Sequence, residues 1–276
     1  YILQKFLYIC TINNNKVVHM FKNLTLPAAH DPYHRHAVVP YLTCLTEYHI
    51  KFFEYMSNTG YNMYTTRTFL SNKIAEFGKK LFKDIVAHES VDDPNRNYIV
   101  APKLTQDDIM SIVWKWEGNL MEIIAGNVLY QIPGLLNNRY VFDKMCGDEK
   151  NDFGVDGWVH HQSNKKFRIG VQVKFRKEKE VHWNDQISKC VAITESEVRK
   201  YYTQGEMTDA EWCSWGKDVS RHAILITSTA LHTSVKQAVG DFMFEVIDAE
   251  DLLLNIGKKN NTNPHKEFWD NCLISV

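Results

Sequence analysis

An α/β architecture with a mixed sheet is the fold this sequence predicts, and three observations carry it. Apolar stripes at spacings of three and four residues fill the first half of the chain. Three segments between residues 139 and 176 alternate apolar and polar residues. After residue 222, strand-like and helix-like segments take turns. The 276 residues suffice for one large domain or two modest ones, and an apolar share of 44% is enough to bury a sizeable core. Lys plus Arg total 32 against 33 Asp plus Glu, so global charge argues neither for nor against a nucleic-acid partner.

The first helix is expected over Tyr41–Met56, where Leu42, Leu45, Tyr48, His49, Phe52, Phe53 and Met56 share one face. The loop Ser57–Thr66 separates it from a second helix, Phe69–Val86, with Phe69, Ile74, Phe77, Leu81, Phe82 and Ile85 on its stripe. The polar run His88–Asn97 contains Pro94 and reads as a linker. It divides a mainly helical N-terminal region, 1–97, from an α/β domain, 98–276. Thr105 opens a long helix, with Asp108 completing an acidic capping box. Its stripe runs through Ile109, Ile112, Val113, Trp116, Leu120, Ile123, Ile124 and Val128, and Pro133-Gly134 stops it.

Strands are expected at Arg139–Cys146, Phe153–His160 and Phe167–Arg176, followed by a helix from about Asn184 to Tyr202. Thr208 and Glu211 then cap a short helix bearing Trp212 and Trp215. The strand His222–Ser228, the helix Leu231–Val239, the strand Phe244–Asp248 and the helix Ala249–Asn255, with Gly257 beyond it, imply a parallel pair joined by a crossover. The order is α-β-β-β-α-β with one α-β unit appended.

Chemistry concentrates on the third strand. Phe167, Ile169, Val171, Val173 and Phe175 share one face, and the other carries Arg168, Gly170, Gln172, Lys174 and Arg176. On the preceding strand, Phe153, Val155 and Val159 are expected on one side and Asp156 on the other, with Gly154 and Gly157 clearing room beside the carboxylate. A short turn brings Asp156 towards Gln172 and Lys174. On the long helix, Gly118, Glu122 and Gly126 form one stripe, which predicts a glutamate on a helix face pressed against its neighbour. Carboxylate, carboxamide and ammonium at one place suit a hard cation such as Mg²⁺. Asp156, Gln172 and the Val173 carbonyl supply oxygen ligands, Glu122 holds a coordinated water, and Lys174 balances charge on a scissile phosphate.

The G-V-D-G of 154–157, the Q-V-K of 172–174 and the helix carrying Glu122 resemble the PD-(D/E)xK nuclease superfamily, in its Mrr-like restriction endonuclease group. The resemblance covers roughly residues 100–255, including the strand HAILITS. It implies a restriction-endonuclease-like α-β-β-β-α-β core with a mixed central sheet. It makes Glu122, Asp156, Gln172 and Lys174 the active-site positions of an Mg²⁺-dependent deoxyribonuclease, with Mn²⁺ able to substitute. The products implied carry 5′-phosphate and 3′-hydroxyl ends. DNA is the partner implied, with a homodimer or a helicase or translocase assembly around it. The setting is intracellular: the cytoplasm of a microbial or virus-infected cell, or the nucleus. Gln172 replaces an acidic ligand, which lowers the expected metal affinity.

Two other functions remain open, a resolvase similar to Holliday-junction enzymes and a nuclease-fold DNA-binding module without chemistry. An RNA-directed nuclease is a third. Lys165, Lys166, Arg168, Arg176 and Lys177 are the expected phosphate contacts, with Lys174 and Lys179 in the same fifteen-residue window.

Other features carry less. His30, His34 and His36 lack a fourth zinc ligand and read as a polar loop. His160 and His161 are expected beside the site, as phosphate contacts or strand-end caps. Thr227, Ser228 and Thr229 suit either a phosphate or a helix N-cap. Six separated cysteines with no C-x-x-C pair predict free thiols. Tyr1–Ile12 is apolar, but Gln4 and Lys5 interrupt it, and neither a signal peptide nor a membrane span is expected. No P-loop, nucleophile elbow or dinucleotide turn is present.

Overall fold

A computed structural model describes residues 42–59, 68–92, 94, 103–131, 140–145, 155–177, 180–182, 185–217, 223–229, 232–235, 237, 244–247 and 264–275. Helices α1 (Leu42–Asn58), α2 (Phe69–Ser90) and α3 (Gln106–Gln131) come first. Strands β1 (Tyr140–Met145), β2 (Gly157–His161) and β3 (Arg168–Lys174) follow. Then come α4 (Asp185–Thr203), α5 (Asp209–Lys217), β4 (Ala223–Thr227), β5 (Phe244–Ile247) and α6 (Pro264–Ser275). The strands form one five-stranded sheet in the order β1-β2-β3-β4-β5. β1, β2 and β3 pair antiparallel, while β3, β4 and β5 run parallel, so this is a mixed α/β sheet. The parallel β3–β4 step requires a long crossover, and α4 and α5 supply it.

The helix predictions rest on periodicity, and burial follows it. Every apolar stripe residue expected on α3, from Ile109 to Val128, is buried. Its capping box is present: Thr105 N–H donates to Asp108 Oδ2 at 2.9 Å, and Asp108 N–H donates to Thr105 Oγ1 at 3.2 Å. Thr208 and Glu211 exchange the same pair of bonds ahead of α5, at 2.8 and 3.2 Å. The helical turn at residues 233–235 falls within the expected Leu231–Val239. His30, His34, His36, Pro133-Gly134, Phe153, Gly154, Lys179 and the helix expected at Ala249–Asn255 lie outside the described residues.

One apolar cluster runs from Leu45 on α1 through α2 and α3 to Ile169, Val171 and Val173 on β3, Ile226 on β4 and Trp269 on α6. It crosses the 97/98 boundary drawn from sequence. The expected linker contributes to that continuity. α2 continues to Ser90, and the buried Glu89 carboxylate accepts the Leu104 N–H at 2.7 Å. Lys103 meets Asp92 at 2.7 Å beside it. α6, which periodicity did not reveal, closes this layer. Trp269 stacks on Phe53 with ring centroids 6.3 Å apart, and Ser57 Oγ donates to Asp270 Oδ1 at 2.6 Å.

The opposite sheet face packs on α4 through Val155, Ile187, Cys190, Ala223 and Leu225. Gly170 is what permits the close approach. A Cβ there would lie 2.4 Å from Thr194 Oγ1 and 3.2 Å from Cys190 Sγ. The Thr194 hydroxyl accepts the Gly170 N–H at 2.9 Å and donates to the Cys190 carbonyl at 2.9 Å, so it has no room to yield. Gly170→Ala is expected to cost about 1–3 kcal/mol by overpacking. The check is urea unfolding, where an unchanged midpoint would show that α4 does not press on β3 as described.

Among the described residues no helix is long and apolar enough to cross a membrane. Cys190, Cys213 and Cys272 are free thiols.

Candidate active site

The site is built where β2 and β3 meet. Gly157 pairs with Val171, and the Asp156 N–H also reaches the Val171 carbonyl, at 2.7 Å. Two residues of one strand therefore answer to one of the other, which is a bulge, and the side-chain alternation slips there. This corrects the expected face. Val155 packs against Cys190 and Leu225, whereas Val159 packs with Ile169 and Val171 on the other side of the sheet. The bulge turns the Asp156 carboxylate onto the end of the ladder, where Oδ2 accepts the Val173 N–H at 2.5 Å and the Gln172 side-chain amide.

Gln172 is buried, and its Oε1 has no hydrogen-bond partner. Its Nε2 also lies 3.4 Å from the Val173 carbonyl. Lys174, two positions along the same face, is buried as well. Burial pushes its ammonium below the usual lysine range. Asp156 opposes this, Arg176 adds to it, and Cys190 and Glu122 oppose it. Glu122 is half-buried on α3, and its charge is the weakest of those influences. The structure brings together Asp156, Gln172 and Lys174, while Glu122 enters only through that weak charge on the Lys174 ammonium.

The glycine reasoning that led to Glu122 needs correcting at one of its two glycines: Gly126 is buried, but Gly118 is not enclosed. A Cβ on Gly118 would meet nothing within 4 Å, so α3 is open at that point rather than pressed against a neighbour. Close approach occurs at Gly78 of α2 instead, where a Cβ would lie 2.4 Å from Glu117 Oε1. Glu117 is fully buried, and Lys177, just beyond β3, reaches it at 3.0 Å. Its carboxyl is raised by burial, with Lys177 opposing. Glu117 is not among the residues singled out from the sequence. The available signal was its place on the apolar stripe of α3, with Val113 four residues before it and Leu120 three after.

A carboxyl raised in the folded state adds stability below its unfolded pKa and loses it as pH rises through the folded value. Glu117→Gln, neutral at every pH, should therefore gain on the wild type by about 1 kcal/mol between acidic and neutral pH. The half-exposed Lys177 offsets only part of this. Urea unfolding at both pH values checks it, and a gap moving the other way would contradict it.

The basic residues divide in two. Arg176 and Lys177 follow Lys174 directly. Lys165, Lys166 and Arg168 sit at the other end of β3, about 20 Å from Lys174 at the rise of a strand. There Lys166 is tied to the Glu206 carbonyl, and Asn164 Nδ2 donates to Glu211 Oε1 at 3.1 Å, clamping the hairpin turn to α5.

His160 and His161 share that far end, which corrects their expected place beside Asp156. His160 pairs with Arg168, and its ring is lowered by burial, with Asp143 opposing and Lys165 and Arg168 adding. His161 Nδ1 accepts the Ser163 N–H at 3.2 Å, a capping role.

Thr227, Ser228 and Thr229 are buried and bonded internally. Ser228 N–H donates to the Lys174 carbonyl at 3.2 Å, and its hydroxyl accepts the Arg176 N–H at 3.0 Å. This residue fixes the backbone that carries Lys174.

The oxygen donors at the site are the Asp156 carboxylate, the partnerless Gln172 Oε1 and the Val173 carbonyl, with Glu122 nearby in charge. That set fits a hard dication. No group of three or more His, Cys, Asp or Glu side chains positioned to hold a metal occurs among the described residues.

Comparisons with protein-family models, with curated proteins and with solved structures returned no match.

Proposed function

We propose that this chain is a metal-dependent endonuclease that hydrolyses DNA phosphodiesters, with a restriction-endonuclease-like core formed by α3, β1–β3, α4 and β4. The observation that carries the reading is the meeting of Asp156 and Gln172 beside a buried Lys174. A buried lysine and a buried amide oxygen without a partner are costly features. Such costs are found where chemistry needs them.

Asp156, Gln172 and the Val173 carbonyl would hold Mg²⁺, or Mn²⁺ in its place. The ion, when bound, supplies charge neutralisation at the phosphate and an activated water. Asp156, fixed by the Val173 N–H, orients the ligand set. Lys174 meets the phosphate oxygen as a cation with little water around it, where its field is strong. Glu122 holds the attacking water and keeps Lys174 charged. Arg176 and Lys177 hold the flanking phosphates. Cutting both strands of a duplex takes two such sites, so a homodimer or a helicase-linked assembly inside the cell belongs to this proposal.

End-labelled linear duplex and a four-way junction, each with Mg²⁺, Mn²⁺ or EDTA, test the function. Metal-dependent cleavage of the duplex leaving 5′-phosphate ends is expected. Cleavage confined to the junction would replace this reading with the resolvase.

A second reading, a DNA-binding module without chemistry, draws on the two N–H donors already engaged with Asp156 Oδ2. Tight binding with no cleavage in either metal would favour it.

A further inference from the structure

Trp114 is the most exposed aromatic side chain among the described residues, at 56%. It stands on the solvent face of α3, one turn before Gly118 and two before Glu122, so the three form a single stripe ending at the candidate active site. Gly118 is the open floor of that stripe, since nothing lies within 4 Å of where its Cβ would be. Lys177 runs alongside, its ammonium 3.0 Å from Glu117 at the level of Gly118, and the exposed Arg176 precedes it. An exposed indole and a bare stretch of helix therefore lie in one line, and Lys177 reaches the helix beside them.

We propose that this stripe is a track for an unpaired segment of DNA strand next to the scissile phosphate, with a base stacked on Trp114. The inference rests on the nuclease reading and adds to its duplex substrate an unpaired flank of about three to four nucleotides beside the cut. Eight residues of helix span about 12 Å. That is the length of three to four stacked nucleotides at about 3.4 Å each. Bases in a duplex are stacked on one another and offer the indole no face, whereas an unpaired base does. Arg176 and Lys177 match the phosphates of such a strand, and Gly118 lets its backbone lie close to the helix.

Fluorescence anisotropy of a labelled oligothymidylate, in EDTA, tests this with wild type, Trp114→Ala and Trp114→Phe. Because Trp114 is exposed, neither substitution should disturb the fold, which circular dichroism verifies. Trp114→Ala is expected to weaken binding about ten-fold, and Trp114→Phe to retain most of it. Unlabelled duplex of the same length should compete poorly. Unchanged binding by Trp114→Ala, or equal competition by duplex, would overturn the proposal. Binding is read without cleavage, so the two readings can fail separately. A protein that cuts DNA but binds the oligonucleotide independently of Trp114 keeps the nuclease and loses the track. A protein that binds through Trp114 but cuts nothing keeps the track as a binding site and loses the nuclease.

Discussion

Lys174→Met is expected to slow phosphodiester cleavage by about 10²–10³ while leaving the protein at least as stable as the wild type. The side chain is buried, and burial holds its ammonium below the usual lysine range. Sheltering that charge is a cost, which Asp156 and Glu122 only partly offset. Methionine keeps the volume and removes the charge, so a gain of about 1–2 kcal/mol at neutral pH is expected. The sign of the pH dependence follows from the direction of the shift. Above the lowered folded value and below the ordinary lysine range, the unfolded chain binds more protons than the folded one, so wild-type stability rises with pH there. The advantage of the Met variant should therefore shrink as the pH is raised. Activity should move the opposite way, falling by about 10²–10³ with the loss of a cation facing the transition-state charge. Opposite signs in stability and cleavage distinguish a lysine kept for chemistry from one kept for packing. Thermal unfolding and a cleavage assay on the same preparations decide it, and a variant that is both unstable and active would contradict it.

Asp156 should behave differently, because its carboxylate both holds the strand ladder and carries the negative charge of the site. In Asp156→Ala the Val173 N–H and the Gln172 amide lose their acceptor together. Leaving such donors unsatisfied costs about 1–3 kcal/mol. The ammonium of Lys174 also loses the first of the charges that sustain it. Asp156→Asn keeps an oxygen for the Val173 N–H and removes only the charge. It should retain most of the stability and still lose cleavage by about a hundredfold or more. Mn²⁺ binding followed by calorimetry gives an independent reading, since both variants should bind the ion more weakly than wild type. An Asn variant with full activity would remove Asp156 from the metal site.

Local signals in the sequence reached the secondary structure and singled out the residues of the candidate site. The period of the α3 stripe, the two capping boxes and the alternation of β3 are properties of neighbouring residues, and each has its counterpart in the fold. Asp156, Gln172, Lys174 and Glu122 were visible because polar groups on an otherwise apolar strand or helix stand out.

What escaped depends on contacts between distant segments. The bulge at Asp156 is set by pairing with Val171, so strict alternation placed Val155 and Val159 on one face when they lie on opposite sides. A glycine in a sequence does not say whether a neighbour presses on it: Gly78 and Gly170 are pressed, whereas Gly118 is open. Nearness in sequence made one patch of basic residues that β3 separates by its own length. Likewise α6 is held by its partners, Trp269 on Phe53 and Asp270 on Ser57, more than by a strong stripe of its own.

The most direct test is conversion of supercoiled plasmid by wild type, Asp156→Asn and Lys174→Met, each with Mg²⁺ and with EDTA. If Asp156, Gln172, Lys174 and Glu122 form a metal-dependent phosphodiesterase site, wild type nicks the plasmid in Mg²⁺ alone, and both variants leave it supercoiled. Nicking by the variants at the wild-type rate, or by wild type in EDTA, would contradict it.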